Sequence, residues 1–124
     1  MENKYSIQTQ KEIDTLFIKL QVWKDLFFFK IEYHFDGWAI TLEEKNAYPR
    51  KIVVFKPYHE NAYSIKSFEV RQNNDGKKDI HEELYFNDVI RNIDELVQEV
   101  REIIYGKDLM NIASKKFQEH ILRS

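Results

Sequence analysis

The chain has no cysteine, only three glycines and only two prolines in 124 residues. Without cysteine there is no disulfide framework, no thiolate nucleophile and no thiolate ligand, and a reducing cytoplasm is the expected setting. Glycine occurs at positions 37, 76 and 106 alone, each at a turn or a helix end, so nothing is left for a phosphate-cradling loop. No stretch reaches the roughly eighteen apolar residues of a membrane span, and Met1-Glu2-Asn3-Lys4-Tyr5 lacks the apolar run of a secretory signal. No contact with a membrane is expected.

Catalytic patterns are also missing. His34, His59, His81 and His120 are scattered, and no two share the four-residue spacing that puts paired imidazoles on one helical face. No serine lies in a nucleophile elbow. Glu43-Glu44 and Glu82-Glu83 read as solvated acids on polar edges. The expectation is a chain that is not an enzyme and carries no metal and no cofactor.

What is abundant is aromatic residues, nine Phe, seven Tyr and two Trp, a load that must fill a core or make an adhesive surface. A length of 124 residues suits one domain with a core of its own. The formal charge of −2 is unevenly spread. Residues 45–78 carry eight Lys or Arg against three acids, whereas residues 79–105 carry eight acids against two Arg. Such segregation either marks a surface for a charged partner or lets a basic and an acidic element neutralise each other within one fold.

Periodicity predicts an α+β fold. Ile13, Leu16, Phe17, Leu20, Trp23 and Phe27 recur at helical spacing, so a first helix runs from about Ser6 or Thr9 to about Leu26. Thr9 and Glu12 have the spacing of a capping box. Alternation then takes over through Phe35, and Asp36-Gly37 predicts a two-residue type I′ hairpin. That turn puts Tyr33 opposite Ile40 and Ile31 opposite Leu42, with Ile31, Tyr33, Phe35, Trp38, Ile40 and Leu42 on one buried face. Ile52 to Phe55 predicts a third strand closed by Pro57, and about Ala62 to Gln72 a fourth with a bulge near Lys66-Ser67. Asn73 to Gly76 reads as a turn, and Ile80 to Tyr85 as a short fifth strand. A long acidic helix follows over about 88–105, capped by Asn87 or Asp88 and ended by Gly106. Leu109, Ile112, Ala113, Phe117 and Ile121 predict a C-terminal helix over about 108–122, docked on the core or on a partner.

Two short stretches resemble a known family. Asp36-Gly37-Trp38 followed by Tyr48, and Leu84-Tyr85-Phe86-Asn87-Asp88-Val89-Ile90-Arg91-Asn92 in the pattern L-x-F-x-D-[IV]-I-x-N, are similar to small phage anti-CRISPR proteins that inhibit type II RNA-guided nucleases. The second stretch resembles the start of the last long helix in that family. Where the family has a basic N-terminal arm, Met1 to Gln10 holds one Lys and one Glu. The resemblance implies a non-enzymatic inhibitor encoded by a phage or mobile element.

The residues themselves point to binding. Tyr48, Tyr58 and Tyr63 interleave with Arg50, Lys51, Lys56, Lys66 and Arg71, a mixture that suits a protein interface. The same mixture suits single-stranded nucleic acid, with lysines on phosphates and rings on bases. The acidic helix face of Asp94, Glu95, Glu99 and Glu102 either mimics a nucleic-acid strand or stays solvated. Another protein is the expected partner, nucleic acid the alternative, and the oligomeric state is open.

Overall fold

A computed structural model describes residues 4–45, 50–72 and 79–106. The expected turn at 73–76 and the expected helix over 108–122 lie outside the described residues. Within them the chain is α+β: α1 (Lys4–Leu20), a short 3-10 turn (Gln21–Trp23), β1 (Phe27–Tyr33), β2 (Gly37–Glu44), β3 (Arg50–Pro57), β4 (Tyr63–Gln72), β5 (Asp79–Ile90) and α2 (Ile93–Ile104). The strands form one antiparallel sheet in the order β1-β2-β3-β4-β5.

Both helices pack on one face of this sheet. Ile13, Leu16 and Leu20 of α1 and Leu96, Val100 and Ile103 of α2 are fully buried in one cluster with Trp38, Ile40, Leu42, Ile52, Val54 and Ile65. The period of two along the strands places these sheet residues on the inner face, and the period of 3.6 aligns the helical ones to meet them. Trp38 stacks edge-on against Tyr63, ring centroids 6.2 Å apart.

The first hairpin turns differently from the sequence expectation. Tyr33 pairs with Trp38 and Ile31 with Ile40, two residues away from the predicted register, and His34 to Asp36 make the connection. The His34 N–H donates to the Gly37 carbonyl at 2.8 Å. A type I′ turn needs positive φ at both central residues, and neither Asp36 nor Gly37 has it. Because the displacement is even, every side chain keeps its predicted face. The burial expected of that face nonetheless fails at its outer corner. Phe35 falls in the connection and is fully exposed, Tyr33 is 60% exposed and Ile31 is 36% exposed, because β1 is the edge strand of the described sheet and has a neighbour on one side only.

Three other boundaries move. The first helix includes Thr9 as an interior residue, so the predicted capping box does not form, and it ends at Leu20 rather than Leu26. The fifth strand runs to Ile90 and is the longest, so Val89 and Ile90 belong to the sheet instead of the helix, and Leu84 to Ile90 of the stretch that resembles a helix start are strand. Its helix begins after Asn92, whose side chain accepts from the Glu95 N–H while Glu95 accepts from the Arg91 N–H, the reciprocal arrangement of a capping box displaced by one residue at its second bond. The sheet irregularity predicted near Lys66-Ser67 occurs between Ser67 and Phe68, but the extra residue is on β5, at Leu84. Hence β4 keeps Tyr63, Ile65 and Ser67 inward, and Phe68 stays on the opposite, outer face.

Candidate partner-binding surface

The predicted basic, aromatic site is divided between two faces of the sheet. Arg50 starts β3 and points inward: its Nη1 donates to the Ile103 carbonyl at 2.9 Å, its Nη2 to the Ile104 carbonyl at 3.1 Å, and Nη2 lies 3.3 Å from Glu44. It closes the C-terminus of α2, where unpaired carbonyls and the negative end of the helix dipole favour a cation. Lys56 is also inward and buried, 3.4 Å from Glu12 of α1 and above the Tyr63 ring. Tyr63 is buried beside them, and burial, reinforced by the Glu12 carboxylate, pushes its phenol up to about 12. Tyr58 is half-buried against the core, with its N–H donating to the Asp36 carbonyl at 3.1 Å. Arg50 and Lys56 tie the sheet to its helices, and all four side chains have little surface to offer.

Lys51 and Lys66 face outward. Tyr48 and the side chain of Arg71 lie outside the described residues.

The outer face carries a different cluster, assembled across strands. Lys66 pairs in register with Phe86 of β5, and its ammonium sits 5.1 Å from that ring. At the far edge the Lys45 ammonium sits 4.8 Å from the Phe28 ring. Both rings are exposed, and no described helix packs on this face. Between them lie half-buried Val53, Phe55 and Phe68. Phe55 leans over Gly37, where a Cβ would come within 2.7 Å of its ring.

Electrostatically this face is mixed. Lys51 stands opposite Glu43, Lys30 lies 3.3 Å from Glu32, and Lys66 lies 3.8 Å from Glu83. These three lysines each have a carboxylate neighbour, and the Lys45 ammonium donates to the Lys24 carbonyl at 2.9 Å, so the surface presents rings and alternating charge rather than a positive stripe. The sequence missed Phe28 and Phe86 as site residues because their cations come from elsewhere in the chain. Only the strand register brings Phe86 to Lys66.

The acidic helix face is largely engaged within the fold. Asp94 lies 3.6 Å from Lys19, Glu95 closes the N-terminus of α2, and Glu99 accepts from the Tyr85 hydroxyl and from Asn87 Nδ2. A shallow groove between β5 and α2 is lined by Asn87, Val89, Gln98 and these acids. Among the described residues no group of three or more His, Asp or Glu could hold a metal ion, and no helix is long and apolar enough to cross a membrane. Comparison of the chain with protein-family models, with curated proteins and with solved structures finds no match.

Proposed function

We propose that this chain is a non-enzymatic binding protein that acts as an inhibitor or regulator by covering a surface of another protein. The observation that carries the reading is the outer sheet face, where exposed Phe28 and Phe86 each lie under a lysine and Lys30, Lys51 and Lys66 each have a carboxylate neighbour. Large rigid rings supply buried area at low entropic cost, and alternating charges supply register and specificity. A nucleic-acid site would instead need a net positive field, which the neighbouring Glu32, Glu43 and Glu83 cancel. The resemblance to phage anti-CRISPR proteins supports an origin in a phage or mobile element and names one partner class, a type II RNA-guided nuclease.

The test is affinity capture from the native host with the wild-type chain and with a Phe28→Ala/Phe86→Ala variant of unchanged melting temperature. Loss of a specific protein with the variant supports the outer face, and equal capture by both sinks it. A cleavage assay with a type II effector examines the partner class, because unimpaired cutting at excess protein removes it. Oligonucleotide binding that weakens steeply with salt would favour nucleic acid over protein.

A further inference from the structure

We propose that the edge of β1 away from β2, which no described strand covers, pairs with β1 of a second copy of this chain, in antiparallel register about Ile31. The inference is independent of what the outer face binds.

The two edges of the sheet are unlike. In β5 two extra residues break the register with β4, and Glu82, Glu83 and Asp88 are exposed along it, devices that blunt an edge against further pairing. In β1 the ladder is unbroken over seven residues, without proline or bulge, and Phe28, Ile31 and Tyr33 are exposed. The hydrogen bonds flanking the hairpin fix which backbone groups are free. The His34 N–H bonds to the Gly37 carbonyl and the Lys45 N–H to the Leu26 carbonyl, so the even-numbered residues of β1 exchange bonds with β2. Antiparallel alternation then turns the N–H and C=O of Phe27, Phe29, Ile31 and Tyr33 to the open edge.

An isologous pair must match odd residues to odd residues, which leaves registers two residues apart. Centring the axis on Lys30 puts Lys30 against the partner's Lys30, and centring it on Glu32 puts Glu32 against the partner's Glu32. Centring it on Ile31 puts Lys30 against the partner's Glu32, and the reverse, on the outer face. On the inner face it puts Ile31 against the partner's Ile31 and Phe29 against the partner's Tyr33. Only this register pairs unlike charges on one face and apolar side chains on the other. It also explains a costly feature, the exposure of Ile31, Tyr33 and Phe35 in one corner of the molecule, since these residues flank the same edge.

Sedimentation equilibrium of the full chain tests the pairing. The wild type should show a concentration-dependent monomer–dimer equilibrium. Lys30→Glu and Glu32→Lys should each weaken it, roughly tenfold, by placing like charges opposite. An equimolar mixture of the two variants should recover wild-type association, because both facing pairs between unlike chains are again of opposite sign. Ile31→Pro, which removes an outward N–H and no bond to β2, should leave a folded monomer. A wild type that stays monomeric up to its solubility limit overturns the proposal. So does a mixture that associates no better than either variant alone.

Discussion

The guanidinium of Arg50 donates to the carbonyl of Ile103 at 2.9 Å, joining the first residue of β3 to the last turn of α2. A second bond to Ile104 and the nearby Glu44 carboxylate leave this side chain mostly enclosed. Arg50→Lys keeps the charge but cannot span two carbonyls with a planar fork, so it should cost about 1–2 kcal/mol, and Arg50→Ala about 2–4 kcal/mol. Urea denaturation checks both values. An alanine variant as stable as the wild type would mean that the helix end is satisfied by other groups.

Gly37 has no need of a left-handed backbone, yet it has no room for a side chain. An added Cβ would meet the Lys56 carbonyl at 2.3 Å and the Phe55 ring at 2.7 Å. The carbonyl belongs to the neighbouring strand and cannot yield without parting β2 from β3. Gly37→Ala should therefore cost about 2–3 kcal/mol or more through strain. Gly106→Ala meets open space and suffers only from its φ of 105°, so it should cost about 1–2 kcal/mol. Thermal melts of the two variants should rank in that order.

The same glycine shows how far local sequence carries. Asp36-Gly37 correctly signals a change of direction, and alternation correctly sorts the faces, because an even slip in register leaves both intact. What the sequence did not show is that Gly37 also answers a close approach by the Phe55 ring and the Lys56 carbonyl, from a strand eighteen or more residues away. Val89 and Ile90 continue both the alternation of β5 and the helical spacing of α2, so periodicity alone could not divide them. A local signal did exist: Asn92 precedes Glu95 by three residues, the spacing of an N-cap and its reciprocal acid. As for the site, composition marked residues 45–78 as rich in Tyr and Lys, but not which side chains the sheet would bury. Lys56 has the parity of Val54 and Ile52, and that places it inside.

Inside, Lys56 and Glu12 form a largely buried pair that links β3 to α1 across 3.4 Å. Removing one partner strands the other charge, whereas removing both leaves no unpaired charge behind. Lys56→Met and Glu12→Gln should each cost about 2–4 kcal/mol, and the double variant should cost less than the sum by about 1–2 kcal/mol. A double-mutant cycle by chemical denaturation measures this coupling. Additive losses would show that the two charges are solvated independently.

Tyr63 makes stability depend on alkaline pH. Its phenol is raised from 10.0 to about 12, first by burial and then by the Glu12 carboxylate, so the folded chain retains a proton that the unfolded chain releases. The sign follows from linkage: this contribution is complete below pH 10, and it is lost as pH rises from there towards the folded value. Over that interval the unfolding free energy should fall by up to about 1.4 kcal/mol per pH unit from this group. Tyr63→Phe should flatten that part of the profile, whatever its effect at neutral pH, because phenylalanine has no proton to release. Denaturant midpoints between pH 9 and 11, compared for wild type and variant, read the difference. Parallel profiles would mean that the Tyr63 phenol ionises alike in both states, and that neither its burial beside Trp38 nor the carboxylate of Glu12 restrains it.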